Sequence, residues 1–304
     1  MENIQIIGRG KYIPKTEINN KFLANKFDCD EERILELSGI EKRFFAQEET
    51  MEEMAYEASL NAIKNANLNK ENIDMIIVAT TSATKIMPGI SFFLQKMLDI
   101  KNCMCLDVLG GCSGYINAFD IARNYIALNK VNTALIVGVE SLSKIIDDKD
   151  FSTAILLGDG AGATIISKTN EKKIYTSNIR SQGQGSDLLT YEYGSKLNMQ
   201  GKKIYKYAVK EVTEIIKETL KKAELDISDI TTVVLHQSNQ RIMDAISARL
   251  DCKNKFYTNI KEVGNTFCAS IPIALSEINL QKGEKIMLVG YGGGLNSGCI
   301  ILEY

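Results

Sequence analysis

Leu106-Asp107-Val108-Leu109-Gly110-Gly111-Cys112-Ser113-Gly114-Tyr115-Ile116-Asn117-Ala118-Phe119 begins as an apolar run, breaks at two glycines and places a cysteine directly after them. Ile116, Phe119, Ala122, Arg123 and Ile126 then recur at helical spacing, the apolar members on one stripe. The pattern predicts a buried strand, a tight turn carrying Cys112, and a helix starting at or near the cysteine. At a helix start the unpaired backbone N–H groups and the positive end of the dipole favour an anion. A cysteine there is expected to have a lowered pKa. The glycines let other backbone, or a substrate, approach closely. The same residues equally describe a buried cysteine beside a packing turn, since free cysteine is among the most buried residue types. The stretch by itself leaves both readings open.

The rest of the chain bounds the answer. Its 304 residues are 45% hydrophobic and 24% charged with only 3 prolines, which is the material of a large folded core in one or two units. A formal net charge of −2 supplies no basic field for nucleic acid. The start MENIQIIGRGKY has neither the apolar core nor the cleavage site of a signal peptide. No apolar run approaches the ~18 residues of a membrane span. Seven scattered cysteines do not form a disulfide framework, so a reducing cytoplasm is expected. Cys103-Met104-Cys105 has no second cysteine pair or histidine cluster near it, and His236 is the only histidine. No metal is therefore expected, and the pair is read as two core cysteines on the strand leading into Cys112.

Outward from that strand, residues 73–79 (IDMIIVA) are apolar throughout, as in a strand covered on both faces. Residues 51–65 form a helix with Met54, Ala55, Ala58, Ala62 and Ile63 on one side. Helix 90–98 and strand 134–140 complete the alternation. Residues 3–8 read as a short strand ended at Gly8-Arg9-Gly10, a Gly-x-Gly without the third glycine of a dinucleotide site and so a turn. Residues 17–45 are amphipathic, with Leu35, Leu37, Ile40, Phe44 and Phe45 expected to face inward. Gly158-Asp159-Gly160-Ala161-Gly162 lacks the Lys-Ser/Thr of a phosphate loop and is read as a hairpin turn.

The second half repeats the first. Ile73 to Val78 matches Ile230 to Leu235, 157 positions later, and Cys112 falls 156 positions before Cys268. Thr133 to Gly138 matches Lys285 to Gly290, 152 positions later. Three apolar segments in one order predict a duplicated α/β unit with its seam at residues 168–178. Ligand sites in such sheets form outside the carboxyl ends of the strands. His236, Asn265 and Gly292-Gly293-Gly294 follow strand ends in the repeat as Cys112 does, so the four are expected to share one floor. Taken singly, the histidine also reads as structural and the asparagine as a helix cap.

LGGCSGYINAFDIA (109–122), HQSNQRI (236–242) and EVGNTFCASIPIAL (262–275) resemble the three signature stretches of the β-ketoacyl-acyl-carrier-protein synthase III family, in the thiolase superfamily. ATTSATKIMP, GDGAGA, QGSDLLT and GGGLNSG resemble further family segments in order along nearly the whole chain. The resemblance implies a thiolase-like five-layered αβαβα fold of the α/β class, built from two duplicated halves. Residues 1–170 would carry the nucleophilic cysteine, and residues 171–304 the histidine and asparagine. It also implies a homodimer and an acyl carrier protein as partner. The implied reaction condenses an acyl thioester, on coenzyme A or carrier protein, with malonyl-acyl carrier protein and loss of CO₂, without a metal or redox cofactor.

Carried over residue by residue, Cys112 takes the acyl group and the backbone N–H groups of Cys112 and Gly293 form the oxyanion hole. His236 and Asn265 hold the malonyl thioester carbonyl. Met87 and Leu142 belong to the acyl pocket, Met87 at the position of the family's gating aromatic across the dimer. Arg241 and Lys206 stand at the carrier or pantetheine entrance. The chain departs from the family at the coenzyme A adenine clamp, where Arg33, Leu37 and Phe151 replace a tryptophan and two arginines. Two other readings remain: a thiolase-fold acyltransferase acting on an amine or hydroxyl without decarboxylation, and a non-catalytic thioester- or partner-binding subunit.

Overall fold

The computed structural model describes residues 3–304. Its first sheet contains β1 (Asn3–Tyr12), β2 (Met75–Ala79), β3 (Met104–Val108), β4 (Thr133–Glu140) and β5 (Gly160–Thr169), in the spatial order β1-β5-β4-β2-β3. The second contains β6 (Tyr175–Ser181), β7 (Thr232–Leu235), β8 (Phe256–Tyr257), β9 (Lys285–Gly292) and β10 (Asn296–Glu303), in the order β6-β10-β9-β7-β8. Strand for strand the two orders correspond. In each, the first two pairings are antiparallel and the last two parallel.

Six helices repeat in the same way: α1 (Met51–Ala66), α2 (Ile90–Leu98) and α3 (Gly114–Ala127), then α4 (Thr213–Ala223), α5 (Gln240–Arg249) and α6 (Ser270–Glu277). Side-chain alternation along the strands sorts them into layers. Ile77 and Ala79 of β2 and Ile136 of β4 face α3 and α6, whereas Ile76, Val78 and Val137 face α1 and α2. In the second sheet Val234 and Leu288 face α3 and α6 from the other side, and Val233, Leu235 and Val289 face α4 and α5. The result is α1/α2, sheet, α3/α6, sheet, α4/α5: five layers, with the apolar helices in the centre.

Local chemistry sets the element ends. Thr50 and Glu53 form a reciprocal capping box at the start of α1, and Asn67 closes its end in the left-handed conformation. Four expectations are corrected. β1 does not stop at Gly8-Arg9-Gly10 but runs through it, because a Cβ at Gly8 or Gly10 would meet the carbonyl oxygens of Ala62 or Ala58. The glycines therefore let α1 lie against the strand. Ile34, not Leu35 or Leu37, is the buried apolar residue of helix Glu31–Ser38, which presents a single face to the body with Ser38 on it. The Gly158–Gly162 segment joins a short helix (Phe151–Ala154) to β5 and so is not a hairpin turn. Cys103 and Cys105 are only half-buried, because β3 is the edge of its sheet.

Candidate active site

β3 ends at Val108, a single 3₁₀ turn covers Gly111–Ser113, and α3 begins at Gly114. Cys112 thus sits between strand end and helix start, with 3% of its surface exposed. Across from it runs the end of β9. A Cβ on Gly292 would stand 2.7 Å from Cys112 Cβ and 3.1 Å from its Sγ, so only glycine fits this approach. That approach brings the Gly293 N–H to the sulfur alongside the N–H of Cys112 itself. The expected low thiol pKa is reversed here. Burial, and then the charge of Glu140, push the Cys112 pKa well up, and the two amides only partly offset them.

His236 follows β7, and its backbone N–H donates to Val289 O at 2.8 Å. Its ring is buried, edge-on to Tyr291 at 5.3 Å between centroids. Burial lowers its pKa to about 3, so the imidazole is neutral at pH 7. Nδ1 lies 2.7 Å from Ser270 Oγ, which also lies 2.7 Å from Phe267 O. Asn265 is held by backbone on both sides, its N–H donating to Leu156 O at 2.9 Å and its carbonyl accepting from Gly158 N at 3.0 Å. Its Oδ1 accepts from Phe267 N at 3.0 Å and its Nδ2 donates to Ser238 O at 3.2 Å. An amide nitrogen carries two hydrogens, so one of the two on Nδ2 is left for a ligand.

Cys112, His236 and Asn265 line one cavity of about 670 Å³, with Leu37, Lys206 and Arg241 also among its walls. Leu142 is buried in one apolar cluster with Cys112. Met87 is 88% exposed and does not line this cavity in its own chain. Arg33 and Phe151 stack on each other, the guanidinium 5.9 Å from the ring centroid, with Phe27 edge-on to the same ring at 5.3 Å. Among the described residues, no group of three or more His, Cys, Asp or Glu is gathered so as to hold a metal ion.

Four neighbours of the site escaped the sequence reading. Glu140, buried at the end of β4, accepts from Ser82 Oγ at 2.5 Å, Ser82 N at 3.0 Å and Cys268 Sγ at 3.0 Å. Burial raises its pKa. The one sequence signal for it is a lone carboxylate ending the apolar strand ALIVGVE, which the sequence reading passed over. Ser270, Phe267 and Tyr291 gave none, being ordinary members of apolar or capping stretches.

Layered architecture and cavity together define a thiolase-fold protein with cysteine, histidine and asparagine at one floor. Family models described as 3-oxoacyl-[acyl-carrier-protein] synthase III and its C-terminal part match residues 106–183 and 220–304. The beta-ketoacyl-[acyl-carrier-protein] synthase III of Clostridium botulinum strain 657 is 39% identical over 100% of this chain and 99% of its own. That of Clostridium acetobutylicum is 36% identical over 100% and 99%. The crystal structure of 3-oxoacyl-[acyl-carrier-protein] synthase III from Aquifex aeolicus VF5 superposes with a TM-score of 0.97 at 36% identity, covering 99% of this chain and 100% of that one. The chain belongs to the β-ketoacyl-[acyl-carrier-protein] synthase III family.

Proposed function

We propose that this protein condenses an acyl thioester with malonyl-acyl carrier protein, releasing CO₂ and a β-ketoacyl-acyl carrier protein, through acyl-Cys112. One observation carries this reading: the Cys112 sulfur, two backbone N–H groups directed at it, a neutral His236 and a half-free Asn265 amide share a single cavity. In the first half-reaction the Cys112 sulfur bonds to the acyl carbonyl carbon. The N–H groups of Cys112 and Gly293 receive the developing oxyanion, the carrier's C–S bond breaks, and the thiol proton leaves on the carrier's sulfur. A preorganised donor of this kind is worth about 3 kcal/mol.

In the second half-reaction the malonyl carbonyl oxygen accepts from His236 Nε2–H and Asn265 Nδ2–H. The bond to the carboxylate breaks, CO₂ departs, and its electron pair becomes an enolate held by the two donors. The enolate carbon then attacks the acyl carbonyl, the Cys112 C–S bond breaks to leave a thiolate, and that thiolate takes one proton from solvent to restore the thiol. His236 must present a hydrogen on Nε2 for this step. The Ser270 hydroxyl lies 2.7 Å from both Nδ1 and Phe267 O and has one hydrogen to give. Because Phe267 O also accepts the Ser270 backbone N–H, that hydrogen can turn from Phe267 O to Nδ1 for this step, which keeps the imidazole proton on Nε2.

Residues 1–170 and 171–304 are read as two copies of one unit, supported by the matching strand orders. A homodimer is supported by the unpaired edge of β3 beside exposed Ile86, Met87 and Leu109, and Met87 is read as reaching a partner's pocket. Arg241 and Lys206, on the cavity wall, would receive the acidic carrier protein. A reducing cytoplasm suits the seven free thiols. The test is intact mass after incubation with acyl-carrier-protein donors, followed by addition of malonyl-acyl carrier protein. An acyl adduct that is absent from Cys112→Ser, and is consumed to β-ketoacyl product on adding malonyl, is expected. No adduct from any donor, or an adduct that persists in Cys112→Ser, overturns the reading.

A further inference from the structure

The cavity around Cys112 ends at a wall, and a second cavity of about 520 Å³ lies beyond it, with Ile86, Ile90, Leu109, Tyr191 and Leu197 among its lining. Leu189 and Phe267 line both cavities and so form the wall between them. Phe267 is 2% exposed and belongs to the cluster that holds Cys112, Leu142, Ile145, Leu157 and Leu197.

Its backbone is unusual. Phe267 has φ +44°, a left-handed conformation that a bulky residue seldom adopts. Its counterpart in the duplicated unit, 156 positions earlier, is Gly111 with φ +55°. Both begin a 3₁₀ turn that leads into a central helix. The turn therefore suits glycine, and the second copy holds a phenylalanine in it. Backbone strain of this sort persists where the surroundings enforce it and collects at functional sites. Here the enforcing contacts are the site's own: Phe267 N–H donates to Asn265 Oδ1 at 3.0 Å and Phe267 O accepts the Ser270 backbone N–H. With both peptide ends pinned, the ring leaves the wall only by turning about its own side-chain bonds.

We propose that Phe267 is the acyl-length gate of this site. With Leu189, its ring confines the group on Cys112 to the near cavity, and a longer chain reaches the far, apolar cavity only by turning the ring aside. This rests on the reading of Cys112 as the residue that bears the acyl group.

The experiment compares initial rates of acyl-Cys112 formation, by intact mass, from acetyl, butyryl and octanoyl thioesters of one carrier protein. Wild type, Phe267→Ala, Phe267→Trp and Leu189→Ala are run together. Opening a packed apolar pocket changes selectivity by about tenfold or more. The octanoyl-to-acetyl ratio should rise by that factor in Phe267→Ala, rise in Leu189→Ala, and fall in Phe267→Trp. Leu189→Ala opens the same wall from the other side and decides the matter if Phe267→Ala does not fold. Ratios within about twofold of wild type in both alanine variants, with Cys112 still taking acetyl, refute the gate and leave the proposed function standing. Failure of the wild type to accept any acyl group overturns that function and the gate with it.

Discussion

Gly292→Ala should silence Cys112 while leaving the protein folded. A Cβ there stands 2.7 Å from Cys112 Cβ, 3.0 Å from its N and 3.1 Å from its Sγ, where ordinary contact begins at 3.4 Å. Something must move by roughly 0.7 Å, the difference between 3.4 and 2.7 Å. β9 resists retreat, because it is paired with β7 as far as Val289 and with β10 as far as Gly292 itself, opposite Asn296. The displacement therefore falls on the 3₁₀ turn, which carries the sulfur and one of the two N–H groups aimed at the oxyanion. A misplacement of ~1 Å at reacting atoms costs about 10²-fold, and ~0.7 Å is expected to cost about 30- to 100-fold, or ~2–2.7 kcal/mol of barrier. Overpacking should cost about 1–3 kcal/mol of stability. The assay is the initial rate of acyl-Cys112 formation by intact mass, paired with a thermal melt. Gly183→Ala is the control, since nothing lies within 4 Å of a Cβ there. A folded Gly292→Ala protein that acylates within about threefold of wild type would show that the turn yields freely, and the argument from close approach fails.

Asn265→Ala should still form acyl-Cys112 but lose malonyl decarboxylation by about 10²–10³-fold, as removal of one preorganised donor does; ¹⁴CO₂ release checks it. His236 binds its proton near pH 3 in the fold and near 6.5 in the unfolded chain. Between those values only the unfolded chain is protonated, so His236 costs about 1.36 kcal/mol of stability per pH unit as pH falls from 6.5 toward 3. Denaturant midpoints across that range should fall less steeply in His236→Gln. Arg33 and Phe151 are stacked on each other, at the positions that the resemblance assigns to the coenzyme A adenine clamp. If the lost clamp is worth ~2.7 kcal/mol, kcat/KM for an acyl-carrier-protein donor should exceed that for the matching coenzyme A thioester by about a hundredfold. Arg241→Glu and added salt should both weaken the carrier-protein donor, because docking charges at the mouth are screened; equal use of both donors would show that the nucleotide site is intact.

The sequence alone determined the parts that depend on local periodicity and on the order of segments along the chain. A glycine turn between an apolar strand and an amphipathic stretch placed Cys112 where the fold has it, at the start of α3. Offsets of 152 to 157 residues were enough to infer two copies of one unit, because duplicated elements keep their order and spacing. Tertiary structure decided whatever depends on contacts between distant residues. The Gly8-Arg9-Gly10 segment looks like a turn by itself and is a strand only because α1 presses on it. Leu35 and Leu37 look buried by composition and are exposed because one face alone of their helix meets the body. The helix start by itself favours a thiolate at Cys112, yet burial and Glu140, 28 positions away along the chain, outweigh that local field. Phe267 is one aromatic among 10 phenylalanines in the sequence, and becomes the wall of two cavities only when β9, the 3₁₀ turn before α6 and Leu189 are brought together. Patterns along the chain reveal which residues share a face; desolvation, close approach and cavity walls exist only once the faces meet.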